Sequence, residues 1–489
     1  MKSSKRRLTA ALCLTALILM SASCGNTETP FDTTTGDSES VSDTTVETTE
    51  ERISTGLEPR DFDGYVFRFS NPSNVTQSWN HMQLTVEEAD GDTLNDAIYQ
   101  RNRAVEERLN IRITEYESSV DKSENDMKTS VLSGTDEFDA AFIRGTKMKQ
   151  YYSLGENKLC FDFVTEVPNI DLSKPWWTQS ANDSVSIAGQ MQFIVGDISL
   201  SYFDSVMPVA MNLRIANAYS LENPYELVHN GKWTMDVIGD MIKKTSSDLN
   251  GDGDATFGDQ FGMYGMSEEY ISLAIAAGAK MIDKDENDIP YLAIGDSKFQ
   301  SAFEKAIAVL NQKDVFANIR LPKYDITKTT LRVFRDGYSL FFSDCLYWLT
   351  TYRDMNDNFA ILPRAKYDET QDKYYTSVHE TGAWLCVPLT ADPERSGYIL
   401  EELAAESHYS LIPAYYENVL FQKTARDEAS HEMLDLIFET RVSDLGGLFD
   451  FGGVYTKLKK MGEKGDTGLQ SFADSIRSKV NTEIQKIME

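Results

Sequence analysis

The sequence of 489 residues contains few of the side chains on which most catalytic and metal centres depend. It has five histidines and five cysteines. The histidines are dispersed along the chain, and no two cysteines have the close spacing of a structural zinc site. The motifs Gly-x-Ser-x-Gly and His-Glu-x-x-His and the Walker phosphate loop do not occur either. The sequence therefore offers no support for nucleophilic, zinc-dependent or nucleotide-dependent catalysis.

The cysteines divide by their position in the chain. Cys13 lies in an apolar N-terminal run, and Cys24 follows a short stretch of small residues. Cys160, Cys345 and Cys386 are odd in number and far apart. We interpret these three as buried, small apolar residues, and one disulfide among them remains an alternative.

Basic residues are also scarce. The chain has 47 Lys and Arg against 77 Asp and Glu, which gives a formal net charge of -30. Residues 1–23 hold four of the basic side chains and none of the acidic ones, so the remainder is more acidic still. A surface this negative repels phosphate groups. We therefore expect no binding to nucleic acid and no adhesion to anionic lipid.

No apolar run is long enough to span a bilayer comfortably; the N-terminal one extends only from Leu8 to Met20. With its basic start and its small residues at the end, the segment 1–23 has the pattern of a secretory signal peptide. Ser21-Ala22-Ser23-Cys24 resembles a bacterial lipobox, in which the cysteine becomes the lipidated N-terminus. We therefore predict a lipoprotein anchored through Cys24 to the outer face of a bacterial cytoplasmic membrane. The alternative is ordinary secretion, with Cys24 removed or free.

The segment after Cys24 is poor in apolar residues. Of the 30 residues from 26 to 55, 22 are Thr, Ser, Asp or Glu. Such a composition cannot bury enough apolar surface to fold. We predict a disordered tether over residues 24–59, with folding beginning at residue 60.

Strand and helix patterns alternate from Tyr65 to Arg144. Strands are predicted at 65–69, 111–116 and 138–144, with helices at 93–109 and 123–132 between them. This alternation indicates an α/β fold with a parallel sheet. Arg144, Tyr151 and Tyr152 belong to the loop after the third strand, and open α/β sheets bind ligands at the carboxyl ends of their strands.

A second informative stretch begins with a helix start. Thr234 is a suitable N-cap, and Trp233 and Ile238 have the spacing of a hydrophobic staple. The following loop, from Asp248 to Asp259, fits the calcium pattern D-x-[DN]-x-[DN]-G with a carboxylate at position 12.

Hard oxygen ligands at positions 1, 3 and 5 of that pattern converge on one cation, and Gly253 at position 6 permits the sharp turn. We predict a structural Ca²⁺ ion; the alternative is a solvated Asp/Gly turn. The predicted ligands are Asp248, Asn250, Asp252, Asp254 through its carbonyl, and Asp259.

Several stretches in this order resemble the extracellular solute-binding proteins of bacterial carbohydrate ABC importers, the family that includes maltose-binding-type proteins. The stretches are EFDAAFIRG, DLSKPWW, GKWTMDVIGDM followed by DLNGDG, LRVFRDGYSLFFSDCLYW and FAILPRAKYDETQDKYY. The resemblance covers nearly everything after the tether. Some members, such as the alginate-binding ones, have a calcium loop after a similar helix.

The resemblance implies two α/β lobes with crossing hinge strands and a ligand cleft between them. It places the first lobe at 60–208 with 359–410 and the second at 209–358 with 411–489. The crossings fall near 207–212 and 361–363. It further implies capture of a carbohydrate, expected to be an oligosaccharide, by a monomer that delivers it to a membrane permease. The implied ligand-binding residues are Trp79, Arg144, Tyr151, Tyr152, Tyr347, Trp348, His379 and Trp384.

Two other classes of protein remain as alternatives. A secreted glycoside hydrolase or lyase would need a pair of carboxylates, and none of the many acidic residues stands in a recognisable motif. A surface adhesion or scaffold protein is the other. We expect a binding protein with no catalytic residues.

Overall fold

The computed structural model describes residues 52–72, 84–118, 120–198, 200–256, 258–319, 332–352, 355–420 and 428–489. The predicted signal peptide, Cys24 and Trp79 lie outside these residues, as does the tether up to residue 51. The chain divides into a unit of residues 1–51 and a unit of residues 52–489, and only the second is described below.

The described unit is a mixed α/β structure. Its strands are β1 (Tyr65–Pro72), β2 (Ile111–Ser118), β3 (Ala140–Arg144), β4 (Val209–Asn212), β5 (Phe261–Gly265), β6 (Ile282–Lys284), β7 (Pro290–Leu292), β8 (Phe316–Asn318), β9 (Ser339–Ser343), β10 (Phe359–Leu362), β11 (Thr376–Ser377), β12 (Ala383–Cys386) and β13 (Arg441–Val442).

The α-helices are numbered in the same way. They are α1 (Thr93–Leu109), α2 (Val120–Ser133), α3 (Gln179–Val185), α4 (Leu200–Asp204), α5 (Leu213–Ala218), α6 (Pro224–His229), α7 (Met235–Thr245), α8 (Glu269–Ala276), α9 (Ser297–Leu310), α10 (Arg332–Arg335), α11 (Leu346–Thr350), α12 (Pro393–Glu406), α13 (Ile412–Leu420), α14 (Glu428–Glu439), α15 (Leu445–Phe449), α16 (Val454–Lys464) and α17 (Leu469–Met488).

The first lobe is built on a four-stranded sheet of order β12-β3-β1-β2. β1 pairs in parallel with β2 and β3, as the strand–helix alternation predicts. β12 is antiparallel to β3, so a segment late in the chain completes this sheet. The sequence also predicts a strand at 192–196, but this segment does not form a ladder; it makes single bridges at Ile194 and Gly196 only.

The second lobe is built on a five-stranded sheet of order β10-β4-β9-β5-β8. β5 is parallel to β8 and β9, whereas β4 is antiparallel to β9. β4 and β10 lie side by side as an antiparallel pair, with Ile361 opposite Ala210. The chain enters this sheet through β4 and leaves it through β10, which is the crossing that the resemblance implies.

Residues 52–60 run along α12. Thr55 Oγ1 donates to Glu402 at 2.7 Å, and Arg60 pairs with Glu394 at 2.8 Å. The amino-acid composition assigns residues 52–59 to the tether, whereas in the structure this segment contacts the first lobe through polar pairs with α12. The helical segment after α12 stays with this lobe, because α13 packs against α1.

Tryptophan side chains form much of the core. Trp176, Trp177, Trp233 and Trp384 are all fully buried. The indole N–H groups of Trp176 and Trp177 donate to the carboxylate of Glu401 at 3.1 and 2.8 Å. Burial raises the pKa of Glu401 to about 7, although the two indole donors act in the opposite direction.

The three cysteines of the described unit, Cys160, Cys345 and Cys386, are buried free thiols, as expected for small apolar residues. Among the helices of the described residues, none combines the length and the apolarity required to cross a membrane.

Candidate functional site

The candidate site lies where the ends of strands from both lobes approach each other. Glu268 follows β5 and Asp344 follows β9; because these strands are parallel neighbours, their carboxyl ends share one edge of the second sheet. Arg144 ends β3 of the first sheet, and residues 379–382 lead into β12 beside it. Ligands of open α/β sheets bind at such edges.

Five side chains form what we call the interlobe cluster: Glu268, His379, Glu380, Tyr455 and Lys459. One ligand atom from each of Glu268, His379 and Glu380 lies within 4.8 Å of the other two. Lys459 Nζ donates to Glu268 Oε1 at 3.0 Å, and the Tyr455 hydroxyl donates to Glu380 Oε2 at 2.7 Å. The cluster therefore joins a strand end of the second lobe, the segment entering the first lobe, and α16.

Negative charge dominates around the cluster. Burial raises the pKa of the Cys345 thiol well above its usual value, and the carboxylates of Asp344, Glu380 and Glu268 raise it further. Burial likewise raises the pKa of Tyr455, with Glu380 and Glu268 adding to the effect. Both groups are therefore neutral at physiological pH, and Cys345 lacks the thiolate that a nucleophile needs.

The segment before β12 packs tightly on the turn after β3. The Gly145 N–H donates to the Gly382 carbonyl oxygen at 2.9 Å. A Cβ atom at residue 145 would lie 2.5 Å from both the Glu380 carbonyl oxygen and a methyl group of Leu448. Only glycine at this position allows Glu380 to approach so closely, so Gly145 sets the position of part of the cluster.

A buried arginine connects the crossing strands to the second lobe. Arg364 follows β10 and is fully buried, and it forms an ion pair with Glu269 at the start of α8. Its Nε donates to the Met207 carbonyl oxygen at 2.6 Å, and its Nη1 donates to Ser343 Oγ at 2.8 Å. One side chain thus contacts the entrance to β4, the end of β9 and the start of α8.

Arg144, Tyr151 and Tyr152 lie close together in the chain but contact different parts of the first lobe. Arg144 Nε pairs with the buried Glu124 at 3.0 Å. Tyr151 is buried in the core. Tyr152 is also buried, and its hydroxyl donates to the Gln190 carbonyl oxygen at 2.7 Å. A ligand would reach either tyrosine ring only if the neighbouring segments moved.

Trp384 lies in β12 and is 1% exposed, with its ring edge-on to Tyr202 at 5.5 Å between centroids. The strand Ala383–Cys386 is buried at every position, because β12 is covered on both faces. Trp384 therefore packs in the core of the described conformation and presents no exposed face to a ligand.

Tyr347 and Trp348 lie in α11, immediately after β9, and both are half-buried. Their rings are edge-on at 5.3 Å between centroids. The Leu346 N–H donates to the Val206 carbonyl oxygen at 2.7 Å, which fixes the start of this helix beside the crossing. Of the sequence-predicted residues in the described part of the chain, Arg144, Tyr347, Trp348 and His379 are partly accessible at the strand ends, whereas Tyr151, Tyr152 and Trp384 are buried.

Sequence reasoning missed Glu268, Glu380, Arg364, Tyr455 and Lys459. Only two of these residues have even a weak indication in the sequence. Arg364 is a charged residue close after the apolar strand Phe359–Leu362, and Glu268 follows the strand Phe261–Gly265. Lys459 lies 191 residues after Glu268, and Tyr455 lies 75 residues after Glu380, so only folding brings them to these carboxylates.

The acidic loop after α7 has a separate location on the second lobe. The structure confirms the helix start: Thr234 is the N-cap, with its hydroxyl accepting from the Val237 N–H, and α7 ends at Thr245. Mutual N–H to carbonyl hydrogen bonds between Ser247 and Gln260, at 2.8 and 2.9 Å, close the base of the loop.

Within the loop, side-chain oxygens are turned inward. Asp248 accepts from the N–H groups of Gly251 and Gly253 at 2.7 and 2.9 Å. Asp259 accepts from Leu249 and Thr256 at 3.0 and 2.8 Å. Burial acts to raise the pKa of Asp259, but these backbone donors outweigh it and lower the pKa.

Gly253 has a φ of 84°, the left-handed conformation that position 6 of a calcium loop requires. In the described residues, no three carboxylates of the loop have ligand atoms all within 4.8 Å of one another. The donor set fits Ca²⁺ chemically, and a bound ion would draw Asp248, Asn250 and Asp252 together.

No protein-family model matches the chain, and no curated protein sequence matches it either. Solved structures, in contrast, share its fold. The cyclic α-maltosyl-1,6-maltose binding protein from Arthrobacter globiformis superimposes with a TM-score of 0.56 at 11% identity, over 87% of this chain and 99% of that one.

Two further solved proteins are similar over almost their whole length. The ABC substrate-binding protein Lmo0181 from Listeria monocytogenes, solved with cycloalternan, has a TM-score of 0.53 at 12% identity, over 86% of this chain and 98% of that one. Apo RafE from Streptococcus pneumoniae has a TM-score of 0.54 at 12% identity, over 86% and 98%. The described part of this chain therefore has the two-lobed α/β fold of the ABC-transporter sugar-binding proteins.

Proposed function

We propose that this protein captures a carbohydrate, expected to be an oligosaccharide, between its two lobes and delivers it to the permease of an ABC importer. The observation that carries the proposal is the shared fold: solved structures similar over most of both chains include binders of cycloalternan, raffinose and maltotetraose. Because one fold can serve several functions, the proposal also needs support from the site itself.

The strand ends supply the two kinds of contact that a sugar needs. Sugars present an apolar ring face, which an aromatic ring can cover, and Tyr347 and Trp348 are half-exposed there. They also present hydroxyl groups, which charged side chains bind through charge-assisted hydrogen bonds. Glu268, Glu380 and Lys459 offer such groups nearby. Closure of the lobes would bring both sets onto one ligand and exclude water.

Capture of a sugar through these contacts requires no chemical reaction. A ligand that interacts better with the closed arrangement shifts the population toward it, and that shift alone is sufficient for capture. Without a bound cation, the cluster's carboxylates would repel a uronate or a sugar phosphate and would therefore favour a neutral sugar. We propose that the protein is not an enzyme; incubation with any bound glycan should release no product.

The first prediction concerns Trp348. Trp348→Ala should weaken binding of a sugar identified by a thermal-shift screen by about 1–3 kcal/mol, because the apolar ring contact is lost. Titration calorimetry on both proteins measures the difference. Tyr291→Ala is the matched control, since Tyr291 is exposed on the β6–β7 hairpin.

Equal affinities for wild type and Trp348→Ala would remove Trp348 from the site. If no mono- or oligosaccharide raises the melting temperature of the wild type, the carbohydrate assignment is wrong, because a ligand that binds only the native state must stabilise it.

We also propose that Asp248, Asn250, Asp252, Asp254 through its carbonyl, and Asp259 bind one structural Ca²⁺ ion. Calcium at 100 times its Kd should stabilise the native state by about 2.7 kcal/mol. Scanning calorimetry with chelator and with added calcium measures this, and Asp252→Asn should reduce the effect. Asp285→Asn, in the β6–β7 turn, is the matched control. A melting curve that is indifferent to both additions would contradict the proposal.

Finally, we propose that the protein is anchored through a lipid on Cys24 to the outer face of the bacterial cytoplasmic membrane. Cys24→Ala should release the protein into the medium or leave it unprocessed. Fractionation followed by mass measurement of the N-terminal peptide tests this. A variant that remains in the membrane fraction and is processed like the wild type would contradict the anchor.

A further inference from the structure

We propose that Glu268, His379 and Glu380 form a binding site for one divalent transition-metal ion of the Zn²⁺ class, which joins the two lobes. These side chains supply two carboxylates and one imidazole, and a ligand atom of each lies within 4.8 Å of the other two. Ligand atoms around a tetrahedral zinc ion are separated by roughly 3.4 Å, so the three side chains would have to approach one another by at most about 1.4 Å.

The second observation is an imidazole nitrogen without a partner. The His379 side chain is 9% exposed, and its Nε2 is buried with no hydrogen-bond partner among the described residues. Its other nitrogen, Nδ1, lies 2.9 Å from Thr381 Oγ1 and 3.3 Å from the Thr381 backbone nitrogen. A metal on Nε2 requires Nδ1 to carry the proton, which it would then donate to Thr381 Oγ1. Metal-bound histidines commonly use the second nitrogen for a hydrogen bond that fixes the orientation of the ring. Nε2 is thus the nitrogen that a metal would take.

Electrostatics also favours a cation. Glu268 and Glu380 are mostly buried, with Asp344 nearby, and Lys459 compensates part of the charge through Glu268. Burying like charges together is costly unless a cation or proton relieves the repulsion. Glu268 is expected to keep its contact with Lys459 and to offer its second oxygen to the ion.

The donor set distinguishes this ion from the one proposed for the acidic loop. A mixed imidazole and carboxylate site suits Zn²⁺, Co²⁺ or Ni²⁺, whereas the loop offers only oxygen ligands, which suit Ca²⁺. The two sites should therefore respond to different metals, and each can be removed without the other.

Because of the position of the site, a bound ion would link the two lobes. Glu268 follows β5 of the second sheet, whereas His379 and Glu380 lead into β12 of the first. The His379 N–H donates to the Ser205 carbonyl oxygen at 2.8 Å, on the chain segment before the crossing. An ion held by both sides would favour the arrangement of lobes seen here over any arrangement in which they separate.

The test uses the full protein after chelator treatment, without any sugar, titrated with ZnCl₂. We expect one zinc ion per chain by calorimetry and a raised melting temperature. His379→Gln and Glu380→Gln should each weaken zinc binding by at least about tenfold. His431→Gln is the matched control, because His431 is exposed on α14. Substitution with Co²⁺ should give a visible absorption band that is lost in His379→Gln.

Two results would overturn the proposal: absence of zinc binding by the wild type, or zinc affinity that survives in both His379→Gln and Glu380→Gln. Melting curves of the metal-free variants, and their unchanged response to calcium, show that they are folded. Since no sugar is present, failure here leaves the proposed carbohydrate function untouched.

Discussion

Replacement of Arg364 by methionine is expected to lower the free energy of unfolding by about 3–5 kcal/mol. Arg364 is fully buried and pairs with Glu269, which is itself buried. The variant would leave the Glu269 carboxylate without its counter-charge in a site that water does not reach. It would also remove the donor to the Met207 carbonyl oxygen. Urea unfolding, followed by both fluorescence and circular dichroism, measures the loss and tests for two-state behaviour.

The double variant Arg364→Met with Glu269→Gln separates the charge from the packing. If the unpaired carboxylate causes most of the loss, neutralising it should restore a large part of the stability, and the two substitutions should not be additive. Arg332→Met, in an exposed ion pair with Asp336, is the control and should cost less than about 1 kcal/mol. A similarly small cost for Arg364→Met would contradict the role assigned to this pair.

Trp233→Ala should cost about 3–5 kcal/mol of folding stability, because it removes a fully buried indole and leaves a cavity. Trp233 packs edge-on against Phe341 of β9 at 5.8 Å, and its Nε1 donates to the Pro363 carbonyl oxygen at 2.9 Å. The side chain therefore attaches the start of α7 to the end of the crossing strand β10. Chemical denaturation gives the size of the effect.

Trp233→Phe provides the conservative comparison. It keeps most of the apolar volume and loses the donor to Pro363, so a cost nearer 1–3 kcal/mol is expected. Tyr291→Ala, at an exposed ring, should change stability by only a few tenths of a kcal/mol. An alanine variant no less stable than the phenylalanine variant would show that cavity formation does not govern this position.

Local patterns predicted the elements whose neighbours in space are also neighbours in sequence. The bounds of α1, Thr93–Leu109, follow from its apolar spacing, and Asp92 caps it by accepting from Leu94 and Asn95. Thr234 likewise defines the start of α7. The residues from Asp283 to Pro290 have the pattern of a hairpin turn, and they connect the antiparallel strands β6 and β7. In each case the decisive hydrogen bonds join residues a few positions apart, so a short stretch of sequence is sufficient to predict the element.

The predicted strand at 192–196 shows where such short stretches are insufficient. The sequence pattern of this segment resembles a strand, but Ile194 and Gly196 form only isolated β-bridges, to Leu385 and Trp177. Whether an extended segment joins a sheet depends on which edge lies beside it, and that edge comes from distant parts of the chain. The same limit applies to aromatic residues: periodicity does not distinguish the half-exposed Trp348 from the buried Trp384.

The sequence by itself determined the α/β class, the capped helix and the order of segments that resembles sugar-binding proteins. Only the tertiary structure decided the site. Glu268, Glu380, Lys459 and Tyr455 meet because the chain crosses between the sheets and its C-terminal helices return to the strand ends. Arg364 is buried because the second lobe supplies Glu269 and Ser343 as its partners. The physical reason is that these contacts join residues from about 20 to nearly 200 positions apart. They form only when the chain packs and the side chains lose contact with water, so no local sequence pattern predicts them.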